Sequence, residues 1–481
     1  MKGMTVKAMT AAVNGTYYGD SQYLLREVSD ITTDSRKVKK DGMFIAIKGE
    51  RSDGHDYIPG CFDNGALCCI SENVLENETR PYIKVESSLQ ALKDLAELYR
   101  SNLDIKVVGI TGSVGKTSTK ETIAAVLGQK YKVLKTQGNY NNEIGLPLTV
   151  FRLSEEDEVA VLEMGISDFG EMTRLTKIAR PDICVITNIG LCHLENLKTR
   201  DGILQAKTEI FKSMNPDGTV ILNGDDDKLI TINEVYGKEP VFFGIDYKEG
   251  IYADNIRNLG LEGTSCVLHG VKTSDNTGSF EIKIPVAGHH MVYNAMAAAA
   301  VAAVMGLSSW QIKQGIESME TIAGRNHIIK ENGFLIIDDC YNANPVSMKA
   351  SIDVIDTAIG RKVCILGDMF ELGKDEKQLH FDVGEYLGTK SIDVLLTVGS
   401  LAGQIAEGTQ DYIDNHYKAY ECEIHVYGTK EELIKELSGI LKKGDNILVK
   451  ASHAMEFPKI IEAIKALISH SFNRLDYFRK F

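Results

Sequence analysis

The chain has 481 residues, more than one compact core accommodates, so we expect about two to four domains. Hydrophobic residues make up 43% and charged residues 25%, which are ordinary values for a folded protein. The formal net charge of −14 argues against general binding of nucleic acid or of anionic membranes. Any anionic ligand must therefore be held by local lysine and arginine side chains.

The cysteines and the apolar segments indicate where the protein resides. The nine cysteines include no Cys-x-x-Cys pair, which favours reduced thiols in a cytoplasm over a disulfide framework or a zinc site. The first residues lack the apolar core of a signal peptide. The longest apolar stretch, residues 295–307, is too short to span a bilayer. We therefore expect a soluble cytoplasmic monomer that neither inserts stably into membranes nor binds nucleic acid.

Residues 1–104 alternate short predicted strands and helices. The loops among them are rich in hydrogen-bond donors. Ser35, Arg36 and Lys48 would hold a diphosphate through charge-assisted hydrogen bonds. Alternatively, Asp34 and Ser35 would only make a local turn and Arg36 would be solvated. Composition alone favours this alternative.

The strongest pattern lies in residues 105–128. An apolar, β-branched run predicts a buried strand, and a glycine-rich turn and a helix follow it. Gly112 and Gly115 let backbone N–H groups surround an anion, while Lys116 adds a positive charge and Thr117 a hydroxyl for Mg²⁺. An ordinary strand-to-helix turn would gain nothing from a lysine that opposes the helix dipole. The pattern therefore predicts a nucleotide-phosphate site.

Further predicted strands at 159–163, 183–187, 220–222 and 241–243 alternate with helices, which indicates a largely parallel sheet. Ligands of such sheets bind at the carboxyl ends of the strands. Glu163 ends one strand and His193 follows another, so both are expected near the phosphate loop. Glu163 suits Mg²⁺, whereas a structural role for His193 remains equally open.

Two residues on predicted helices leave alternatives open. Lys207 lies in a helix predicted over 203–211, and its chemistry alone favours a surface lysine paired with a glutamate. Asn294 stands at the head of an alanine-rich helix predicted over 295–304. It would read the edge of a base or cap the helix.

Residues 324–481 alternate strands and helices in a doubly wound α/β pattern, with strands at 334–337, 362–366, 394–398 and 446–449. Polar clusters at 338–345 and 367–373 directly follow strands. Helix capping explains part of the first cluster. Two clusters at the strand ends of one sheet indicate a binding face.

Three motifs resemble the Mur ligase family of ATP-dependent amide ligases, and the resemblance covers nearly the whole chain. Thr111-Gly-Ser-Val-Gly-Lys-Thr117 resembles the phosphate loop of the family. Residues 137–147 resemble the segment after the second strand of the ATPase domain, and residues 206–210 the site of a carbamylated lysine. The resemblance implies an α/β, three-domain Mur ligase architecture. Its domains would be a UDP-sugar-binding domain (1–104), a central P-loop ATPase domain (105–323) and a C-terminal Rossmann-like ligase domain (324–481).

Within the family, residues 341–345 and 367–373, followed by His380, resemble the member that adds D-alanyl-D-alanine to UDP-N-acetylmuramoyl-tripeptide. The Asp-Asn-Pro-Arg string typical of the relative that adds the third residue is absent. The resemblance therefore implies an ADP-forming ligase of peptidoglycan precursor synthesis that uses ATP and Mg²⁺ and forms an acyl phosphate. Another Mur-type amino acid ligase and a P-loop switch or motor ATPase are the alternatives.

The resemblance also implies roles for individual residues. It makes Lys116, Glu163, His193 and a carbamylated Lys207 catalytic, and Thr117, Glu163, His193 and Lys207 metal ligands. The implied nucleotide contacts are Thr111, Gly112, Ser113, Val114, Gly115, Lys116, Thr117, Ser118, Asn294, Arg325 and Asp339. The implied substrate contacts are Ser35, Arg36, Lys48, Asn139, Asn142, Asn342, Asn344 and Asp368. Ligands spread over three domains imply closure at hinges near residues 105 and 323.

Overall fold

The computed structural model describes residues 1–50, 52–331, 333–416 and 421–477, with backbone alone for 468–477. These residues form two compact units, each built from several stretches of chain. The first unit comprises Met1–Ile189, Leu204–Phe243 and Ala297–Leu307. The second unit comprises Gly190–Ile203, Gly244–Met296 and the described residues of Ser308–Phe481. The domain boundaries at 104/105 and 323/324 stay a prediction.

The amino-terminal part of the first unit contains a small, mostly parallel sheet in the order β1-β5-β4-β3-β2, in which only β1 runs antiparallel to its neighbour. Its strands are Thr16–Tyr18 (β1), Ile31–Thr32 (β2), Met43–Ile45 (β3), Cys68–Ser71 (β4) and Tyr82–Lys84 (β5). The helices are Val6–Ala12 (α1), Ile58–Asp63 (α2) and Ser88–Ser101 (α3). The predicted alternation of short elements is confirmed here.

The main sheet of the first unit is parallel, in the order β11-β10-β9-β6-β8-β7. Its strands are Lys106–Thr111 (β6), Val133–Lys135 (β7), Val159–Glu163 (β8), Ile183–Ile186 (β9), Thr219–Asn223 (β10) and Val241–Gly244 (β11). The helices that come between these strands along the chain are Lys116–Leu127 (α4), Gly145–Val150 (α5), Glu171–Ala179 (α6), Leu194–Leu197 (α7) and Arg200–Thr208 (α8). The buried apolar strands and the crossover helices confirm the predicted parallel sheet.

Three antiparallel strands of the second unit were not predicted. They are Ile251–Asn258 (β12), Thr264–His269 (β13) and Ser279–Ile284 (β14). Side chains along β13 alternate between buried and half-buried positions, so no continuous apolar run marks the strand. The helices His290–Val304 (α9) and Ser309–Glu317 (α10) follow. Because α9 begins at His290, Asn294 lies inside the helix, and its predicted capping role is wrong.

The carboxyl-terminal sheet of the second unit has the order β15-β16-β20-β17-β18-β19, parallel except for β15. Its strands are His327–Glu331 (β15), Phe334–Asp338 (β16), Lys362–Gly367 (β17), Val394–Val398 (β18), Glu423–Tyr427 (β19) and Asn446–Lys450 (β20). The helices are Pro345–Asp356 (α11), Glu376–Gly388 (α12), Gly403–Asn415 (α13), Lys430–Ile440 (α14) and Pro458–Tyr477 (α15). Apolar side chains form two core clusters that draw on alternate positions of these strands, as in a doubly wound fold.

The cysteines form no disulfide in the described residues, which include all nine of them. Seven are buried, and Cys192 and Cys422 are partly exposed. Burial raises the pKa of the Cys61 thiol to about 11. Within the described ranges, no helix combines the length and the apolar character needed to cross a membrane.

Candidate functional site

The glycine-rich loop joins β6 to α4 and is shaped by two glycines in left-handed backbone conformations. Gly112 has φ +150° and Gly115 has φ +85°. A Cβ atom on Gly112 would lie 1.9 Å from Thr187 Oγ1, so any other residue would have to displace the Thr187 side chain. Gly115 precedes the first turn of α4, and no side chain caps that turn. The N–H groups of the turn and the helix dipole favour an anion such as phosphate.

The turn after β9 supports this loop from one side. Ser113 N donates to Asn188 O at 3.0 Å, and Val114 N donates to Asn188 Oδ1 at 2.9 Å. Thr187 Oγ1 donates to Val114 O at 2.6 Å. Sequence reasoning missed Thr187 and Asn188, although their place directly after a strand next to β6 could have indicated this role.

Lys116 begins α4 and is half-buried. Its Nζ donates to the Gly112 carbonyl at 2.8 Å, so the ammonium lies across the loop that it follows. A cation held in this place can stabilise negative charge that develops on a transferred phosphoryl group.

Glu163 lies next to the loop because β8 pairs with β6, with Glu163 opposite Ile110. It is 2% exposed. Thr117 Oγ1 donates to Glu163 Oε2 at 2.8 Å, and Asn141 Nδ2 donates to Glu163 Oε1 at 2.9 Å. The structure therefore brings together Thr117 and Glu163, two of the predicted metal ligands. Asn141 was missed, although it lies between the predicted contacts Asn139 and Asn142.

Lys120 is a second residue that sequence reasoning missed. It is 1% exposed on α4, and its Nζ donates to Thr136 O at 2.8 Å. The same ammonium pairs with Glu121 at 2.9 Å and lies 3.9 Å from Glu163 Oε2. Burial alone would raise the pKa of Glu121, but its bonds to Lys135 and Lys120 lower that pKa overall.

Lys207 lies near the end of α8 and is only 1% exposed. The chemistry-based prediction of a surface lysine is therefore wrong. An ammonium group is costly to bury. Carbamylation of Lys207 stays a prediction.

The oxygen donors of the first unit suit Mg²⁺, which prefers carboxylate, hydroxyl, phosphate and water oxygens. Thr117 and Glu163 present a hydroxyl and a carboxylate 2.8 Å apart at the phosphate loop. Among the described residues, no group of three or more His, Cys, Asp and Glu side chains is arranged to hold a metal ion. The pair thus fits an ion that takes its remaining ligands from phosphate, water or a modified side chain.

A charged cluster in the second unit surrounds Asp339, which directly follows β16. Lys450 Nζ donates to Asp339 Oδ2 at 2.6 Å and to Asn342 O at 3.1 Å. Ser351 Oγ donates to the same carboxylate oxygen at 2.6 Å. The Arg325 guanidinium lies over the Tyr341 ring, 3.9 Å from its centroid. Lys450 is 2% exposed, and its role here was not predicted.

The residues predicted to bind the dipeptide make hydrogen bonds to backbone N–H groups. Asn342 Oδ1 accepts from Ala343 N at 2.9 Å, and Asn344 Oδ1 accepts from Ser347 N at 2.9 Å as the N-cap of α11. Asp368 Oδ1 accepts from the N–H groups of residues 401 and 402 at 3.0 and 2.7 Å. The predicted capping role in the first cluster is confirmed for Asn344. Contacts of these side chains with a substrate stay a prediction.

His193 lies on the segment before α7, with φ +50° and a partly exposed side chain. Its Nδ1 is 3.0 Å from Glu371 Oε2, on the loop after β17. Asn294 Nδ2 lies 3.2 Å from the Met291 sulfur inside α9.

The predicted diphosphate residues lie on the surface of the small sheet. Arg36 is 87% exposed and forms a bidentate salt bridge with Asp34, in which Nε donates to Oδ1 at 2.9 Å and Nη2 donates to Oδ2 at 3.0 Å. This hydrogen bonding lowers the pKa of Asp34. Ser35 is half-buried and Lys48 is exposed. The local turn that composition favoured is thus what the structure contains.

The predicted substrate contacts Asn139 and Asn142 are both exposed. Asn142 Oδ1 accepts from Gly145 N at 2.8 Å, at the start of α5. Their predicted contacts with substrate stay predictions.

Three family models match the chain in sequence. Residues 27–100 match the model described as Mur ligase family, catalytic domain. Residues 110–302 match the Mur ligase middle domain, and residues 324–453 match the Mur ligase, glutamate ligase domain.

Characterised relatives cover nearly the whole chain. The UDP-N-acetylmuramoyl-tripeptide–D-alanyl-D-alanine ligase of Bacillus subtilis is 37% identical over 463 residues, which are 95% of this chain and 97% of the relative. The Escherichia coli enzyme of the same name is 32% identical over 473 residues, 97% and 99% of the two chains.

Solved structures are similar over the same length. A crystal structure of MurF from Acinetobacter baumannii matches with a TM-score of 0.84 and 30% identity, covering 97% of this chain and 98% of that one. MurF ligase from Thermotoga maritima in complex with ADP matches with a TM-score of 0.79 and 31% identity, covering 92% and 98%.

Proposed function

Because this chain belongs to the Mur ligase family, with its three-domain architecture and its ATP-dependent, ADP-forming ligase activity, we propose that it makes the UDP-N-acetylmuramoyl-pentapeptide. It would do so by joining D-alanyl-D-alanine to the UDP-N-acetylmuramoyl-tripeptide in peptidoglycan precursor synthesis. One observation carries the proposal, namely the 37% identity over 95% of the chain to a ligase of that name.

A carboxylate reacts poorly with an amine, and the proposed reaction therefore activates the carboxylate first. The terminal carboxylate of the tripeptide attacks the γ-phosphorus of ATP, so that an acyl phosphate forms and ADP leaves. The neutral amino group of the dipeptide then attacks the acyl carbon, the tetrahedral intermediate collapses to an amide, and phosphate and a proton leave. Phosphoryl transfer depends on positioning and charge neutralisation, for which Lys116 and Arg325 are the proposed cations.

Thr117, Glu163, His193 and Lys207 are the proposed magnesium ligands. Bound Mg²⁺ would neutralise charge on the transferred phosphoryl group. The Thr117–Glu163 pair at the phosphate loop supports the proposal for these two residues. For Lys207, the neutral amine would add to CO₂, a proton would leave, and the resulting carbamate would offer an anionic oxygen in place of a buried cation.

The remaining proposed contacts are divided among the three ligands. Residues 111–118, together with Asn294, Arg325 and Asp339, would bind ATP. Ser35, Arg36, Lys48, Asn139 and Asn142 would bind the UDP-sugar tripeptide, and Asn342, Asn344 and Asp368 would bind the dipeptide. The reaction would take place in the cytoplasm, where ATP is available and thiols stay reduced, and the protein would act as a monomer.

An acceptor screen tests the proposed function. Purified protein with ATP, Mg²⁺ and UDP-N-acetylmuramoyl-tripeptide, ending in lysine or in diaminopimelate, would be offered D-alanyl-D-alanine, L-alanyl-L-alanine or single amino acids. We expect ADP release and a pentapeptide product, detected by mass spectrometry, only when D-alanyl-D-alanine is the acceptor. ADP release with a single amino acid would reassign the chain to another Mur-type ligase. Release that needs neither the nucleotide sugar nor an amine would indicate a switch or motor ATPase.

A further inference from the structure

The proposed metal ligand His193 has a carboxylate neighbour that the proposed function does not use. His193 Nδ1 and Glu371 Oε2 are 3.0 Å apart, and both residues belong to the second unit. We propose that Glu371 is a positioning residue, which holds the His193 ring and its proton so that Nε2 is presented to a divalent cation. The proposal rests on the proposed function, because that function makes His193 a magnesium ligand.

The loop that carries Glu371 is fixed on three sides. Met369 N donates to Nε2 of the buried His380 at 2.8 Å, and Phe370 N donates to Ser452 Oγ at 2.9 Å. The Asp368 carboxylate accepts from the N–H groups that precede α13. Glu371 follows these anchors directly, so its backbone is held by parts of the fold that lie far apart in sequence.

The backbone at both residues adopts a conformation that side chains disfavour. Glu371 has φ +63° and His193 has φ +50°, both in the left-handed region. Glutamate has no local hydrogen bond that would favour this region, as asparagine and aspartate have. Strain of this kind persists where the surrounding structure imposes it.

The distance determines what the pair can do. At 3.0 Å, an Nδ1–H group can donate to the carboxylate, and in a neutral ring this arrangement leaves the lone pair on Nε2. Metal-binding histidines regularly donate their second N–H to a carboxylate in this way. An exposed ion pair serving only stability is worth little, and the Glu371 side chain is 66% exposed. Stability alone therefore does not account for two strained residues that face each other.

The chain offers a matched control for removal of Glu371. Glu456 is also a glutamate in the left-handed region, with φ +55°, and it pairs with Lys430 and Lys459. Glu371→Gly and Glu456→Gly thus make the same change of charge and relieve the same kind of backbone strain. Glu371→Gln removes the charge but keeps a side chain of the same length that ends in a hydrogen-bond acceptor.

The test measures Mn²⁺ binding in the presence of ADP, from the electron paramagnetic resonance signal of free Mn²⁺. We expect Glu371→Gly to weaken binding about tenfold to hundredfold, Glu371→Gln to recover part of the loss, and Glu456→Gly to bind as the unaltered protein does. Thermal unfolding of Glu371→Gly should begin no earlier than that of the unaltered protein. Mn²⁺ binding that is unchanged or tighter in Glu371→Gly would overturn the proposal.

A second measurement needs neither a metal ion nor catalysis. The ring ¹⁵N signals of His193, assigned by their loss in His193→Gln, should show the proton on Nδ1 in the unaltered protein and lose that preference in Glu371→Gly. The same proton distribution in both proteins would count against Glu371. If the unaltered protein makes no pentapeptide, the proposed function fails, while the ring signals still decide the role of Glu371.

Discussion

At the scale of single residues, the phosphate loop depends on one close contact between neighbouring strand ends. Gly112 is required because Thr187 Oγ1 occupies the place of a Cβ atom. The glycines and Lys116 were predictable, because the chemistry of phosphate binding selects them locally. Thr187 and Asn188 were missed, since their role arises only when β9 pairs with β6, and their place directly after a strand was the one signal for it.

Gly112→Ala should lower both stability and ATP affinity. Overpacking against Thr187 should cost about 1–3 kcal/mol, and the left-handed backbone adds about 1 kcal/mol. Gly138→Ala is the matched control, because Gly138 has φ +51° and nothing lies within 4 Å of its Cβ position. Chemical unfolding and ATP titration measure the two effects. Equal losses in both variants would show that the clash with Thr187 is unimportant.

Lys207→Ala should be almost inactive, because the proposed carbamate would be lost. A small carboxylic acid such as acetate or propionate in the buffer should restore part of the amide formation by supplying the missing oxygens. Lys212→Ala serves as the control, since the Lys212 side chain is 55% exposed and pairs with Glu209. Full activity of Lys207→Ala without any additive would remove the carbamate from the reaction.

At the scale of secondary-structure elements, apolar runs located the parallel strands to within a few residues. The strand over 159–163 was predicted with its observed ends. The antiparallel strands β12–β14 were not predicted, because polar residues interrupt their apolar ones and leave no continuous apolar run. The site is less predictable than the strands, since Lys120 and Lys450 are buried by contacts that the chain makes only after folding.

Lys120→Met should destabilise the first unit at neutral pH by about 3–5 kcal/mol, because Glu121 would lose a buried cation. The folded protein holds the pKa of Glu121 below its ordinary value of 4.5. Its ion pairs therefore contribute stability above that value, and the contribution is lost as the pH falls through the lowered pKa. The cost of the substitution should shrink accordingly in acid.

Lys135→Met provides the comparison for this prediction. Lys135 also pairs with Glu121, but its side chain is 44% exposed, so its removal should cost less than about 1 kcal/mol. Urea unfolding at several pH values measures both variants. A cost of Lys120→Met that stays constant between neutral and acid pH would contradict the assigned role.

At the scale of the whole molecule, the boundary predicted at 104/105 falls inside the first unit. The buried Arg100 at the end of α3 donates to the carbonyls of Leu103 and Ile105 at 2.9 and 3.1 Å, and to that of Ala179 at 3.2 Å. The segment near residue 105, which was predicted as a hinge, is therefore hydrogen-bonded to the end of α6. Movement at this hinge stays a prediction.

Arg100→Met should leave three carbonyl groups without this donor and should destabilise the first unit by roughly 3 kcal/mol. Hydrogen exchange at residues 102–106 should become faster, as measured by mass spectrometry. Arg180→Met is the control, because Arg180 is about half exposed and pairs with Glu97. Exchange that is unaffected by Arg100→Met would show that these hydrogen bonds do not stabilise the segment.

The uneven burial of the cysteines offers a means of labelling. Seven thiols are enclosed, and burial keeps thiols such as Cys61 protonated, so a maleimide should react first with Cys192 and Cys422. Cys192 immediately precedes His193, whereas Cys422 precedes β19. A dye pair attached at these positions without mutagenesis would report, molecule by molecule, whether the segment that carries His193 moves when ATP is added.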